Sequence, residues 1–177
     1  MKIVWLAKLL MRWARWYTKD LEPNFEVIRN DKDVYLRRWW VIPRNSYFNI
    51  YLHNMLRDDD EILHDHMYAS LSVCLGGRLL ERYKENPEAT RFHEPSLVHS
   101  RDVVQGTISI RSSIMAHQLI VVEPAWTIFI TGPRIKEWGF FCPKGKRHWK
   151  DYVALSQDPS GANKGLSGKG VGCGEMD

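Results

Sequence analysis

Two histidines one residue apart, His64 and His66, are the residues of this chain best placed to do chemistry. On an extended backbone successive side chains point to opposite faces, so both imidazoles face one way and Asp65 faces the other. Two imidazoles on one side can share a divalent metal ion, and a third, His117, opens a later strand-like run. An HxH pair alone is also what two ordinary surface or core histidines look like. The third histidine, and a strand-rich setting whose barrel mouth would suit a site, weigh toward a metal.

Other residues are candidates around that centre. Arg111, in the run Ile110-Arg111-Ser112-Ser113 just ahead of His117, can clamp a carboxylate or phosphate bidentately if it faces inward, and is an ordinary surface arginine if it does not. Tyr51 and His53 fall on the polar side of an alternating run whose other side is Phe48, Ile50 and Leu52, so they are expected to line the same cavity. Cys74 reads as an inert buried thiol, since nothing beside it marks a low-pKa nucleophile. Arg37, Arg38 and Arg44 surround Trp39 and Trp40; arginine interleaved with aromatics can stack on bases, but more commonly it is a strand with snorkelled arginines. His93, His99 and His148 stand at no ligand spacing and receive no role.

The elements that must position these side chains are short. Runs dense in β-branched and aromatic residues occupy 34–42, 47–55, 68–75, 78–83, 107–111, 118–122, 126–131 and 138–142. Turn chemistry separates them, at Pro43-Arg44-Asn45, Asp58-Asp59-Asp60, Gly76-Gly77, Glu123-Pro124 and Gly132-Pro133. So many short strands without helical patterns between them predict an antiparallel sandwich, jelly roll or barrel. The polar stretch 85–105 reads as a long excursion between two halves. Residues 2–19 read as a helix, because Lys8, Arg12, Arg15 and Lys19 recur on one face with Ile3, Trp5, Leu9, Trp13 and Trp16 around them. That helix packs on a flank of the domain, or lies on a membrane surface or in a partner's groove. From about residue 157 the chain is Gly-rich with almost nothing apolar, and a disordered tail is expected. The domain plan is therefore a helix over 1–20, a β-domain over 21–156 and a tail over 157–177.

Composition excludes several classes. The 177 residues suit one domain, and the net charge of +4 is too small by itself to argue for nucleic acid, although Lys144, Lys146, Arg147 and Lys150 form a second basic cluster. No apolar run is long enough to predict a membrane span. Lys8 and Arg12 interrupt the apolar start, and no small-residue cleavage site follows, which argues against secretion. Cys74, Cys142 and Cys173 are odd in number and far apart, so the sequence suggests no disulfide framework, and a reducing cytoplasm is the expected compartment.

With the motifs in place, the chain resembles the cupin superfamily, the RmlC-like jelly-roll β-barrels, over about residues 34–142. His64-Asp65-His66 is similar to the HxH of the family's first motif, Gly76 or Gly77 to its closing glycine, and His117 to the histidine of its second motif. The runs Trp39-Trp40-Val41-Ile42-Pro43-Arg44-Asn45, Phe48-Asn49-Ile50-Tyr51-Leu52-His53 and Thr127-Ile128-Phe129-Ile130-Thr131-Gly132-Pro133-Arg134, followed by Glu137-Trp138-Gly139-Phe140, look closest to uncharacterised cupin-like proteins of bacteria and their phages. The resemblance implies an all-β cupin-type jelly-roll barrel. One departure matters: where the family places a Glu ligand, this chain has Ser70 or Leu71. The implied site is three neutral imidazoles, His64, His66 and His117, which leave the ion its full charge and favour an anionic or chelating substrate. Fe(II) is the favoured ion, with Zn(II), Ni(II) or Mn(II) as alternatives. The implied activity is dioxygenase-like, then isomerase or lyase, on a small polar or anionic molecule, with Arg111 orienting it and Tyr51 or His53 moving protons. A non-catalytic ligand-binding module and a nucleic-acid-associated protein are the alternatives, and a homodimer through edge strands fits the resemblance.

Overall fold

The computed structural model describes residues 2–29, 33–87, 98–152 and 172–173. Its elements run α1 (Val4–Thr18), β1 (Phe25–Arg29), β2 (Asp33–Trp40), β3 (Asn49–Met55), β4 (Ser70–Lys84), β5 (His99–Val104), β6 (Ile108–Arg111), β7 (Ala116–Thr131), β8 (Gly139–Cys142), β9 (Gly145–His148) and α2 (Trp149–Tyr152). Seven strands pair antiparallel along the path β1-β2-β3-β7-β4-β5, with β6 also on β4, and β8 with β9 forms a separate hairpin. Among the described residues this path does not return on itself. The fold is a jelly roll, left open where a closed barrel was expected.

Two long strands organise it. β4 and β7 pair with each other from Ser70↔Thr131 to Lys84↔Ala116. The first half of β4 carries β6 on its far edge, and the second half carries β5. The second half of β7 carries β3, while its first half is bridged by His64. Each strand therefore serves two layers and must bend between them. The bend falls at Gly76-Gly77 facing Glu123-Pro124, where the register shifts between Cys74 and Leu79. Sequence signals at both places suggested turns. They are instead bulges inside continuous strands, where a glycine relieves crowding and a proline sits at a gap in the ladder. Gly77 has φ of 80°, and a Cβ there would meet the Pro124 carbonyl oxygen at 2.1 Å.

Alternation sorts the side chains of the main sheet. One row across it, Trp39, Leu52, Ile128, Val73 and Ile108, is apolar and faces outward. α1 lies on that row: Ala14 is buried with Trp39, Leu52, Val73 and Leu75, and Leu10, Met11, Trp13 and Tyr17 pack beside it. Ala7 and Ala14 bring the helix close to the sheet, and fully burying Leu52 and Leu75 is worth about 1.5–3 kcal/mol each. The Ile3 N–H donates to the Gly106 carbonyl at 2.9 Å, and the Tyr17 hydroxyl to the Trp40 carbonyl at 3.1 Å, so both ends of the helix are tied down. The alternate residues Arg38, His53, Ser72, Arg111, Thr127 and Phe129 face inward, onto a cavity of about 490 Å³.

Other expectations need amendment. The excursion expected over 85–105 contains β5, and its residues 88–97 lie outside the described ones. The strands β1 and β9 were not anticipated. Most of the expected tail also lies outside the described residues, but Cys173 within it is bonded to Cys142 at 2.09 Å, against the expectation of unpaired thiols. Sequence spacing could not show this, because the partners are 31 residues apart with no motif between them. The reducing-compartment expectation loses its basis with that bond. No helix among the described residues is long and apolar enough to cross a membrane.

Substituting Gly77→Ala should force the Pro124 strand aside, costing about 1–3 kcal/mol. Thermal denaturation should register this as a fall of about 2–4 °C per kcal/mol, and an unchanged midpoint would contradict the bend as described.

Candidate metal centre

The segment between β3 and β4 is pinned to the open edge of β7 before it delivers its histidines. Asp58 and Asp59 carboxylates accept the Val121 and Leu119 N–H groups at 2.6 and 2.7 Å, and the Asp59 N–H donates to the Leu119 carbonyl. Farther along, His64 and His117 exchange both backbone hydrogen bonds, at 3.0 and 2.8 Å. A residue pair joined in this way has its side chains on one face of the sheet. Asp65 then points the opposite way, fully buried, accepting the Gly139 N–H at 2.8 Å and pairing with Lys146 at 2.6 Å and with Lys136. That pairing fixes the strand alternation. It returns His66 to the side of His64.

Three imidazoles consequently meet. Their ring centroids are 5.0 to 5.2 Å apart, and one nitrogen of each lies within 4.8 Å of the others. His66 Nε2 and His117 Nε2 face each other at 2.8 Å. The pair precedes β4, in a segment that bridges β7 on one side and Phe140 of β8 on the other. Trp138 and Phe140 wall this end of the cavity.

A residue that sequence reasoning passed over controls the centre. Glu81 of β4 is fully buried, and its Oε1 accepts from His117 Nδ1 at 2.8 Å and from Arg111 Nε at 2.6 Å. Its Oε2 accepts from Arg101 at 2.7 Å. Burial alone would raise this carboxyl, but the His117 bond and the Arg111 guanidinium outweigh it and hold it far below the usual carboxylate range. A carboxylate only accepts, so His117 carries its proton on Nδ1 and presents the Nε2 lone pair to the cavity. This is how a ligating histidine is commonly oriented. The one sequence hint was its place two residues past Leu79, on the same strand face; both side chains are buried.

The remaining candidates separate. Arg111 does line the cavity, with Nε on Glu81 and Nη1 on the Ser72 hydroxyl at 2.9 Å. His53 also lines it, and its Nε2 accepts from Arg38 Nε at 2.8 Å. Tyr51 stacks beside His53, with the Arg38 guanidinium 4.9 Å from its ring centroid. Arg38, weighed in the sequence as a surface or base-stacking residue, thus faces the cavity from β2, on the same inner face of the sheet as Arg111 of β6. Burial, with the Arg38 charge, keeps His53 well below the ordinary histidine range; burial, with His117, His64 and the two arginines, does the same for His66. Both stay neutral, as ligands and acceptors must. Ser70, at the position where a Glu ligand would stand, is buried and brings no carboxylate. The donor set of three imidazoles fits an ion such as Zn(II) or Fe(II), with nitrogen bonds of about 2.0–2.1 Å for zinc.

Solved structures with a similar strand layout include Fe(II)-HppE with an alternative substrate, at 13% identity and a TM-score of 0.48, covering 63% of this chain and 56% of that one. A cupin superfamily protein from Desulfitobacterium hafniense is 11% identical with a TM-score of 0.44, covering 62% of this chain and 84% of that one. An RmlC-like cupin from Shewanella frigidimarina is 11% identical with a TM-score of 0.43, covering 56% and 77%. The match to HppE thus spans little more than half of that chain. At these values the likeness says nothing of what this chain binds. No family model and no curated protein matches the sequence.

Replacing Glu81→Gln should free His117 to rotate and lower metal affinity about 10–100-fold, read by competition with a chelator; unchanged affinity would remove Glu81 from the account. The two depressed histidines also set a pH dependence. The unfolded chain takes up protons at His53 and His66 near pH 6.5 while the folded chain does not, so stability should fall below that pH. The slope should approach about 1.4 kcal/mol per pH unit for each residue, in denaturant titrations at stepped pH.

Proposed function

We propose that the chain is a metal-dependent cupin enzyme acting on a small anionic molecule, with dioxygenase-type chemistry first and isomerase or lyase chemistry second. The observation that carries this reading is the convergence of His64, His66 and His117 at one end of a substrate-sized cavity. A divalent ion held by these residues, Fe(II) ahead of Zn(II), Ni(II) or Mn(II), supplies Lewis acidity and, as iron, redox chemistry with dioxygen.

The chain's own groups do the rest. Three neutral ligands leave the end wall cationic. Arg38 contacts a neutral histidine and aromatic rings, while Arg111 shares the Glu81 carboxylate with Arg101 and His117. Arg38 therefore has charge to spend on a substrate carboxylate, which it can hold bidentately. Asp59 lines the same space, but its oxygens are taken by the Tyr35 hydroxyl and the Leu119 N–H. His53, with Nε2 engaged by Arg38, orients that guanidinium. Tyr51, expected to line the cavity, is buried beside His53 and is not among the lining residues; Tyr68 is, and its hydroxyl, pushed up by burial and so kept protonated, is the better placed donor. Trp138 and Phe140 line the cavity beside the histidines and set apolar rings against His64.

Protein purified without chelator should carry near-stoichiometric divalent metal by elemental analysis, and His64→Ala and His117→Ala should each lose it. Iron as the dominant metal supports oxygen chemistry. Metal retained in both variants contradicts the reading.

A further inference from the structure

The outward face of α1 is built for something the cavity does not use. Between residues 4 and 19 the exposed positions are Val4, Trp5, Lys8, Leu9, Arg12, Arg15, Trp16 and Lys19, and the helix carries no acidic residue. Trp5 is 69% exposed, Leu9 53% and Trp16 73%. Their spacing sets the three on one stripe, with the four cations beside it. The inward face is already occupied, so these indoles are no part of the core. The apolar surface also continues past the helix: Ile110 pairs with Leu71 on the same outer face of the sheet and is 72% exposed.

We propose that this face docks on an anionic lipid surface, with Trp5, Leu9 and Trp16 at the depth of the headgroups and Lys8, Arg12, Arg15 and Lys19 against the lipid phosphates. Indoles favour that interface, and a cationic helix without carboxylates is drawn to it. A second copy of the chain fits poorly. A two-fold contact through this face sets Lys8, Arg12, Arg15 and Lys19 against their own images, with Asp20 alone beside them to offset the charge. Nucleic acid would use the cations but would leave Val4 and Leu9 with nothing apolar to meet.

The test is co-sedimentation of the whole chain with vesicles of equal parts phosphatidylcholine and phosphatidylglycerol, against vesicles of phosphatidylcholine alone. Partitioning should be about tenfold or more in favour of the anionic vesicles at low salt and should weaken as salt is raised. The pairs Lys8→Glu with Arg12→Glu, and Trp5→Ser with Trp16→Ser, should each lower binding about tenfold or more with an unchanged thermal midpoint, since all four side chains are exposed. Failure to pellet with anionic vesicles, equal pelleting with both kinds, or undiminished binding by either double variant overturns the proposal. So does a dimer that Trp16→Ser disperses and vesicles leave intact, or single-stranded DNA binding that anionic vesicles fail to displace.

Discussion

The chemistry of this protein depends on one backbone contact, the reciprocal pair of hydrogen bonds between His64 and His117. Without it the two residues belong to distant parts of the chain. With it their Cβ atoms share a face of the sheet, and the alternation fixed by Asp65 adds His66. A slip of one residue in this register would turn the imidazoles of one partner out of the cavity. Several features upstream exist to hold that register. Asp58 and Asp59 tie the approaching segment to β7, and the Lys136–Asp65–Lys146 cluster ties its far side to the β8–β9 hairpin.

Electrostatics follow from the same placement. A fully buried carboxylate is costly unless its partners are fixed, and Glu81 has three of them in Arg101, Arg111 and His117. The arrangement spends a negative charge on orienting a ligand instead of binding the ion directly. Arg38, with no carboxylate of its own among the contacts described, keeps a cation on the cavity wall. The sheet is apolar on both faces: Leu36, Met55, Leu79 and Val103 cluster on the inner side, and α1 covers the outer row from Trp39 to Ile108, which would otherwise face water.

Much of this was legible in the sequence. The HxH spacing has a period that only an extended chain turns into a shared face, and the alternation of Tyr51 and His53 against Ile50 and Leu52 survived folding intact. The strand count did not. Gly76-Gly77 and Glu123-Pro124 carry the same residues a turn would carry, because a sharp bulge and a turn make the same demand on the backbone. Local sequence cannot tell the two apart; the neighbour on the facing strand can. Glu81 was missed because a charged residue among Arg78, Arg82 and Lys84 looks solvated, and only its three partners, drawn from β5, β6 and β7, make burial tolerable. Arg38 was misplaced for a related reason, since snorkelled and inward arginines differ by a single step of the alternation. The bond between Cys142 and Cys173 depends on the return of the chain end, which no spacing rule reports.

The convergence itself is best tested by X-ray absorption at the metal edge of protein loaded with one equivalent of Zn(II). Convergence of His64, His66 and His117 should give the multiple scattering of about three imidazoles, with nitrogen at about 2.0–2.1 Å and oxygen completing the shell. A shell with one imidazole or none, or with sulfur as a ligand, would contradict it.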